Sequence, residues 1–336
     1  MSKTKVLTGI TTTGTPHLGN YVGAIKPAIK QSSHDDIQAY YFLADYHALV
    51  KSKDPKRIHQ SGLEIAATWL ALGLDTDRAI FYRQSDIPEI MELNWIIGCM
   101  TAKGLMNRSH AYKAAVQANN HANEKDLDKA ITMGLFCYPV LMAADILIFN
   151  AHKVPVGRDQ IQHLEMARDI AGRMNHCYKT NFTLPEAVIG DNISVLNGLD
   201  GRKMSKSYDN TIPLFSSEKN LLKLIRKIKT NSLEPGQPKD TKDCTLFQIF
   251  SAFANDIDIA DKRHQYEDGV GWGDLKNQLF EHLNSQLTEP RKRYDDLVKN
   301  PKLIESELQK GAEKARDEAA PFIAEIKKAV GIHSFS

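Results

Sequence analysis

The segment spanning residues 37–43 constrains the fold more than any other part of the chain, because it is a nearly unbroken run of apolar and aromatic side chains. Polar residues do not alternate along it, as they would on a strand with one solvent-facing side. We therefore predict a strand in a parallel sheet that is covered on both faces. Residues 79–83 and 154–156 predict later strands, and residues 6–7 predict the end of a short first strand.

Helical segments separate the predicted strands. Asp54-Pro55 is typical of a helix start and Gly73 of a helix stop, so a long helix is expected between them. Residues 21–30 and 160–174 predict two more helices. This alternation predicts an α/β fold with a doubly wound, Rossmann-like parallel sheet, which binds ligands at the carboxyl ends of its strands.

Strand signals stop near Pro213, and the rest of the chain predicts an all-helical region. Helices are expected over residues 217–230, 245–253, 272–287 and 304–330. The predicted organisation is an α/β domain over 1–212, a helical domain over 213–300 and a C-terminal helix within 301–336. A polar stretch at 107–128 breaks the strand–helix rhythm and predicts an insertion packed near the active site or a dimer interface.

Composition narrows the classes of function without selecting one. The net charge of +2 on 336 residues is too small for the whole surface to bind polyanions, so nucleic acid would need a local basic patch. The four cysteines lack a C-x-x-C spacing, which gives no support for zinc ribbons or iron–sulfur clusters and fits a reducing cytosol. Asp145 interrupts the longest apolar segment and no secretory signal is visible, so no transmembrane helix or export is expected.

A lysine-rich pentapeptide, Lys203-Met204-Ser205-Lys206-Ser207, lies shortly after two glycines. Chemistry that expels pyrophosphate from ATP must neutralise the charge that builds up on the β- and γ-phosphates. Two ammonium groups on a glycine-flanked loop suit that task, with Met204 holding the loop to an apolar surface while Lys203 and Lys206 reach inward. An isolated match of this length is also consistent with a solvated basic loop.

A second candidate phosphate site follows the first predicted strand. Residues 9–20 form a Gly/Thr-rich turn leading into a helix, where unpaired backbone N–H groups and the helix dipole attract anions. Gly19 leaves room for an adenine ring, and His17 and Asn20 can donate to phosphate and ribose oxygens. The turn matches neither the P-loop nor the dinucleotide fingerprint. Taken alone, it favours an ordinary connection between a strand and a helix.

Asp145 lies on the same predicted helical face as Tyr138 and Leu141, two turns and one turn earlier. A carboxylate in such an apolar segment is expected to be desolvated and to need a hydrogen-bond donor. The residues alone leave two interpretations open. Asp145 binds a substrate, or it is a structural aspartate bonded to a backbone N–H or a lysine.

Taken together, these segments resemble the signature motifs of the class I aminoacyl-tRNA synthetases. Residues 15–20 lie where the family has its HIGH motif, and residues 203–207 are its KMSKS motif letter for letter. The tryptophanyl members are the most similar, through residues 138–147, 154–160, 163–165, 266–267, 271–273 and 311–315. The resemblance covers essentially the whole chain. It implies a tryptophan–tRNA ligase that makes tryptophanyl-adenylate and pyrophosphate, and then transfers tryptophan to the 3′ end of tRNA.

The resemblance also implies an amino-acid site. Asp145 would accept the indole N–H, the only donor on that ring, and phenylalanine would leave the carboxylate unpaired. Tyrosine would have to be excluded by shape. The implied pocket residues are Tyr138, Met142, Val154, Val156 and His47.

Nucleotide contacts are implied at several positions. Asp159 would bond both ribose hydroxyls, although an N-cap aspartate is a common alternative at such a turn. Charge on the triphosphate would be met by Lys203, Lys206, Lys113 and His17. Further implied contacts are Thr11, Thr12, Thr13, Gly19, Asn20, Gly157, Arg158, Gln160, Val195, Met204, Ser205 and Ser207. The segments 11–13, 108–110 and 194–197 depart from the common family wording, which weakens the assignments of Lys113 and Val195.

ATP with Mg²⁺, L-tryptophan and tRNA are the cofactors and substrates that the resemblance implies, for a cytoplasmic homodimer that binds neither membranes nor DNA. The helical domain would recognise the anticodon, and the last helix would fold back onto the catalytic domain. The candidate basic surface consists of Lys219, Lys223, Arg226, Lys227, Lys229, Arg291, Lys292 and Arg293. For any single lysine, a solvated helix face is the commoner explanation. The sequence identifies no general base for the transfer step.

Three alternatives share parts of this pattern. A tyrosyl-tRNA synthetase has the same fold and chemistry, but is expected to differ around Asp145 and Asp159. A small-molecule nucleotidyltransferase would leave the helical region unexplained. A non-catalytic paralogue that binds tryptophan or RNA usually loses the lysine pair, which is intact here. Exchange between ATP and pyrophosphate, run with each amino acid in turn, separates them.

Overall fold

The computed structural model describes residues 3–189 and 196–335. Within that part of the chain, five strands form one sheet: β1 (Thr4–Thr11), β2 (Ile37–Ala44), β3 (Ile80–Arg83), β4 (Lys153–Pro155) and β5 (Glu186–Val188). The order across the sheet is β3-β2-β1-β4-β5, and all neighbours are parallel. The predicted doubly wound α/β fold is confirmed, and its winding reverses between β1 and β4, where such sheets bind ligands.

Helices cover both faces of the sheet. Up to the end of the sheet region they are α1 (Leu18–Asn20), α2 (Lys26–Ser32), α3 (Asp45–Ala48), α4 (Pro55–Ala71), α5 (Pro88–Met100), α6 (Lys103–Met106), α7 (His110–His121), α8 (Met133–Leu147) and α9 (Ile161–Tyr178). A π-helical stretch, Tyr21–Ile25, joins α1 to α2, and short 3₁₀ turns span Gln84–Asp86, Arg158–Gln160 and Lys206–Tyr208. The remaining helices are α10 (Glu218–Lys227), α11 (Thr245–Phe253), α12 (Asp256–Glu267), α13 (Trp272–Lys299) and α14 (Pro301–Ala329). None of the described helices has the length and apolar character needed to cross a membrane.

Strand β2 has the two-sided burial that its composition predicts. Its residues from Ala39 onward are all buried. Tyr40 packs on one face, where its ring stacks on Phe149 with centroids 4.8 Å apart. Tyr41 packs on the other face against Trp69, at 5.0 Å. Two separate apolar clusters therefore sandwich the sheet.

Several predicted boundaries differ from the structure. Strand β1 does not end at Leu7 but continues to Thr11, because it pairs with β2 along its full length up to the Thr11–Ala44 register. Helices α9 and α13 run several residues beyond their predicted ends. Helix α4 matches its prediction, with the Asp54 carboxylate accepting two backbone N–H groups at its start and Gly73 in the left-handed region after its end. Strand β5 and helices α5 and α12 were not predicted.

Helix α14 crosses back over the sheet and packs on β3 and α5. A Cβ on Gly311 would lie 1.8 Å from the carbonyl oxygen of Phe81, so only glycine allows this approach. Further along α14, Glu318 accepts hydrogen bonds from Lys5 at 2.6 Å and from the Tyr40 hydroxyl at 2.7 Å. These contacts fasten the end of the chain to the edge and centre of the sheet.

Candidate active site

A cleft of about 670 Å³ is lined by the carboxyl-terminal parts of β1, β2 and β4 together with α7, α8 and the turn before α9. It brings together ten of the predicted site residues: Thr11, His47, Tyr138, Met142, Asp145, Val154, Val156, Gly157, Asp159 and Gln160. Leu141, which was expected on the same face as Asp145, packs against the core instead. The predicted pocket and ribose segments therefore share one cleft.

Asp145 is 1% exposed, as its apolar surroundings predict. Its Oδ2 atom lies 3.0 Å from Nε2 of His47, and its Oδ1 accepts a hydrogen bond of 2.8 Å from Nε2 of Gln84. Burial raises the pKa of the Asp145 carboxyl, and the hydrogen bonds from His47 and Gln84 oppose that rise. The carboxylate is thus held by two side chains beside a cavity, rather than by the backbone N–H or lysine of the structural alternative.

Gln84 is a site residue that the sequence analysis did not single out. It follows β3 directly and is fully buried. Its Oε1 accepts the backbone N–H of Tyr46 at 3.1 Å, which turns the amide nitrogen toward Asp145. One feature of the sequence could have indicated it: Gln84 directly follows a predicted strand, and parallel sheets bind ligands at the carboxyl ends of their strands.

A chain of hydrogen bonds connects α8 with the turn before α9. The Tyr138 hydroxyl lies 2.8 Å from Nε2 of His163, whose Nδ1 lies 3.0 Å from Oε1 of Gln160. The Gln160 amide then donates to Oδ2 of Asp159 at 2.8 Å. A carboxylate only accepts, so His163 carries its proton on Nδ1 and accepts from the tyrosine. Burial lowers the pKa of His163, which favours this neutral form.

Asp159 does not cap the helix that follows it. The residue at the N-cap of α9 is Gln160, so the N-cap alternative for Asp159 is wrong. Its carboxylate instead lines the cleft, where the Gln160 amide orients it. Arg158, its neighbour, is exposed and lies outside the cleft lining.

His17 and Asn20 cap each other at the start of α1. Nδ1 of His17 accepts the backbone N–H of Asn20 at 3.3 Å, and Oδ1 of Asn20 accepts the backbone N–H of His17 at 3.1 Å. Burial, followed by the nearby Lys206 charge, lowers the pKa of His17 to about 4. At neutral pH the ring is therefore uncharged, with its proton on Nε2, and acts as a neutral donor.

The backbone around this turn is already hydrogen-bonded. The N–H groups of Thr13, Gly14, His17 and Leu18 all donate to acceptors within the protein. The prediction that unpaired backbone N–H groups form the anion site is therefore wrong for these four residues.

The lysine pentapeptide lies against the N-terminal turn. Met204 is buried in an apolar cluster that also contains Leu18 of α1, as the sequence predicts. The Lys206 ammonium donates to the carbonyl oxygen of Thr13 at 2.5 Å, and desolvation there lowers its pKa. Lys203 does not reach inward in this conformation but is exposed. An ammonium has three donors, so Lys206 keeps two for other acceptors.

Two backbone hydrogen bonds join the turn to the segment that follows the lysines. Leu18 donates to the carbonyl of Ile212 at 3.0 Å, and Leu214 donates to the carbonyl of Pro16 at 3.0 Å. Segments almost 200 residues apart in the chain thus form one unit just after the carboxyl end of β1.

The remaining predicted residues are distributed around this unit. Ser205 and Ser207 lie on the pentapeptide loop, where the Ser205 hydroxyl accepts the Ser207 N–H at 3.3 Å. Gly19 lies beneath the His17 ring. Thr12, the first residue after β1, is buried near Gly62 of α4 and does not line the cleft.

Lys113 is not part of the cleft lining. Lys113 is exposed on α7, whose residues His110, Ala111 and Ala114 do line the cleft. Val195 lies outside the described residues. In the candidate basic surface, the five cations from Lys219 to Lys229 are exposed, but Arg291 is buried and does not belong to it.

Comparison with known proteins gives a single family. Residues 1–288 match the model for class I tRNA synthetases (W and Y). The chain is 57% identical over 332 residues to a tryptophan–tRNA ligase of Neisseria meningitidis, covering 99% of both chains. It is 59% identical over 334 residues to one from Pseudomonas aeruginosa, covering 98% of this chain and 74% of that one. A crystal structure of tryptophanyl-tRNA synthetase from Campylobacter jejuni, complexed with ADP and tryptophan, has a TM-score of 0.87 and 42% identity, covering 97% of this chain and 99% of that one.

Proposed function

This chain belongs to the class I tRNA synthetases for tryptophan and tyrosine, and we propose that it ligates L-tryptophan to its tRNA. The carboxylate of tryptophan attacks the α-phosphorus of ATP, which gives tryptophanyl-adenylate and releases pyrophosphate. The tryptophanyl group then passes to the ribose of the terminal adenosine of tRNA.

The observation that carries this proposal is the contact of the Lys206 ammonium with the Thr13 carbonyl, 2.5 Å long. It joins the lysine pentapeptide to the N-terminal turn beside a cleft that contains a buried carboxylate. A nucleotide whose phosphates lie at this junction places its α-phosphorus next to an amino acid bound in the cleft. Catalysis then consists largely of positioning and of charge stabilisation.

Selection of tryptophan is assigned to Asp145. Its carboxylate is fixed before the substrate arrives, because His47 and Gln84 each hold one oxygen. The indole N–H donates a further hydrogen bond to this carboxylate, which is buried in surroundings of low dielectric constant. Met142, Val154 and Val156 supply apolar surface around the ring. Tyr138 and Gln160, linked through His163, complete the polar side of the pocket.

The triphosphate is assigned to side chains of the two signature segments. Lys206 supplies a positive charge at the turn, and the exposed Lys203 is free to swing onto the β- and γ-phosphates. His17 contributes a neutral Nε2 donor rather than a second cation. Lys113 approaches from α7, one wall of the cleft. Asp159 binds the ribose hydroxyls, with Thr11 and Gly157 around the nucleoside.

Mg²⁺ fits this scheme as a companion of ATP. Across residues 3–189 and 196–335, no group of three or more metal-ligating side chains occurs. The ion would therefore be ligated mainly by phosphate oxygens and water, which suits its octahedral preference. It would neutralise part of the negative charge that builds up on the leaving pyrophosphate.

We assign the α/β domain (1–212) to catalysis, the helical domain (213–300) to anticodon recognition and 301–336 to the C-terminal helix. Dimerisation is assigned to α5, where Trp95 is 74% exposed and Met91 is 38% exposed, an uncommon apolar display for a surface helix. The cytoplasm fits the four free cysteines, which that compartment keeps reduced.

Exchange of labelled pyrophosphate into ATP tests the proposal. Each of the standard amino acids is offered in turn to the purified chain, and tryptophan alone is expected to drive exchange. Aminoacylation of tRNA with tryptophan should follow. Exchange driven by tyrosine would identify the tyrosyl branch of the family, and no exchange with any amino acid would identify a non-catalytic paralogue.

A further inference from the structure

We propose that Asn210 is a positioning residue for adenylate formation, and that together with Asp200 it holds the lysine pentapeptide in the conformation that lays Lys206 on the N-terminal turn. This inference rests on the proposed function. It concerns two residues outside both signature motifs, neither of which reaches the cleft.

The Asn210 side chain lies at the centre of the loop. It is 2% exposed, and its Oδ1 accepts the backbone N–H of Ser205 at 2.8 Å. Its Nδ2 donates to the backbone carbonyl of Lys203 at 3.1 Å and to Oδ1 of Asp200 at 2.7 Å. A backbone N–H only donates and a carbonyl or carboxylate only accepts, so the orientation of the amide is unambiguous.

The backbone around Asn210 is equally constrained. Its own carbonyl accepts the N–H of Leu199 at 2.9 Å, and Gly198 donates to the carbonyl of Arg202 at 2.7 Å. A Cβ on Gly198 would lie 2.2 Å from the Asn210 carbonyl oxygen, so the backbone at Gly198 packs directly against the backbone at Asn210. The loop is therefore closed around the amide.

Asp200 connects Asn210 to Arg202 at the surface, and these three side chains together are called the hub. Its Oδ2 accepts from Nε and Nη2 of Arg202, at 2.7 and 2.6 Å. The guanidinium in turn lies 4.3 Å from the ring centroid of Tyr208. The hydrogen bond from Asn210 is the largest of the effects that lower the pKa of the Asp200 carboxyl to about 2. The carboxylate is thus charged throughout the physiological range and keeps its two partners.

This arrangement has a consequence for the lysines. The loop is held through backbone atoms and through Asn210, Asp200 and Arg202, while the ammonium groups of Lys203 and Lys206 take no part in the hub. They remain available for phosphate. Because misplacement of a charge by about 1 Å can cost roughly 100-fold in rate, the hub controls how well the lysines meet the leaving group.

Asn210→Asp is the decisive substitution. It keeps the shape of the side chain and the acceptor for Ser205, but it removes the donor to the Lys203 carbonyl and sets a second carboxylate against Asp200. We expect kcat for tryptophan-dependent pyrophosphate exchange to fall about 10- to 100-fold, with KM for tryptophan within about twofold of the parent, because the pocket is untouched. The double variant Asn210→Asp/Asp200→Asn restores one amide facing one carboxylate. It should recover at least about half of the lost activity on a logarithmic scale.

Controls separate the possible outcomes. The parent chain must first exchange pyrophosphate with tryptophan; if it does not, the proposed function fails and the hub is not what was tested. Asn220→Asp, on an exposed asparagine at the start of α10, makes the same chemical change outside the loop and should leave kcat unchanged. If Asn210→Asp does not fold, Asp200→Ala removes the partly exposed partner and should still lower kcat without raising KM for tryptophan. A folded Asn210→Asp or Asp200→Ala with parental kcat, or a double variant no better than Asn210→Asp alone, would overturn the inference.

Discussion

At the scale of single residues, the proposed site contains a carboxylate that is already hydrogen-bonded to two side chains. Asp145 receives hydrogen bonds from His47 and Gln84, which offset the cost of burying its charge. The pocket can thus present an acceptor to an indole N–H without rearranging. Neutral Gln84 and a ring nitrogen hold the group, so its negative charge is not cancelled by a salt bridge to lysine or arginine.

Substitution of Asp145 tests this role. Asp145→Asn keeps the side-chain shape but replaces one acceptor oxygen by a donor. We expect kcat/KM for tryptophan to fall about 10- to 150-fold, since a hydrogen bond to a charged group contributes roughly 1.5–3 kcal/mol. KM for ATP should stay unchanged, measured in the same exchange assay. Asp169→Asn, on the exposed face of α9, is the matched control. Parental tryptophan kinetics in Asp145→Asn would remove the indole assignment.

His17 gives a prediction about pH. The His17 imidazole has a pKa of about 4 in the folded chain and the ordinary value of 6.5 in the unfolded chain. The unfolded state therefore binds more protons between these values, and the contribution of His17 to stability weakens as pH falls through that window. In NMR spectra, the His17 ring signals, identified by their loss in His17→Gln, should keep their neutral-form shifts down to about pH 5. A midpoint near 6.5 would contradict a buried, neutral donor.

At the scale of elements, the attachment of α14 to the sheet depends on one close approach. Gly311→Ala would place a methyl group 1.8 Å from the Phe81 carbonyl oxygen and push the helix away from β3. The thermal unfolding midpoint should fall by about 3–4 °C, from a packing cost of roughly 2–3 kcal/mol. Differential scanning calorimetry measures it.

Gly172→Ala is the control for that substitution. Gly172 is also within a long helix, α9, but a Cβ there would meet no atom within 4 Å. Alanine should therefore leave the midpoint unchanged or raise it, because it favours a helix by up to about 1 kcal/mol over glycine. Equal effects at the two positions would show that helix propensity, and not contact with β3, decides the outcome.

The elements also show how far sequence reasoning reaches. Burial on both faces of β2 and the capping of α4 by Asp54 follow from local composition, and both were predicted. Strand β5 has three residues, none of them buried, and pairs only with β4 among the described strands, so it carries no local signal. The extension of β1 to Thr11 is set by its pairing with β2, which no property of a Gly/Thr-rich segment reveals.

At the scale of the whole molecule, several exposed cations lie on α10. Lys223 and Lys227 are both exposed on α10. If this surface contacts tRNA, the double variant Lys223→Gln/Lys227→Gln should raise KM for tRNA about tenfold. The slope of log KM for tRNA against log salt concentration should become smaller by roughly 1.5. Pyrophosphate exchange should be unaffected. Lys299→Gln/Lys302→Gln, which removes equal charge near the α13–α14 junction, controls for net charge. Equal losses of tRNA affinity in both variants would argue against a specific surface on α10.

The candidate site illustrates why long-range geometry escapes sequence analysis. The residue types were predicted because carboxylates, lysines and a Gly/Thr-rich turn indicate chemistry on their own. Their partners were not predicted. The fold creates the contacts of Gln84 with Asp145 and of His163 with Gln160. The backbone N–H groups of the turn were misjudged for the same reason, since the acceptor of Leu18 lies at Ile212.

A crystal structure with tryptophan and a non-hydrolysable ATP analogue tests the central claim most directly, because it locates both substrates at once. We expect the indole nitrogen within about 3 Å of an Asp145 carboxylate oxygen, and the phosphates between His17 and the ammonium groups of Lys203 and Lys206. An indole ring bound away from Asp145, or phosphates that contact only one of the two signature segments, would contradict the account.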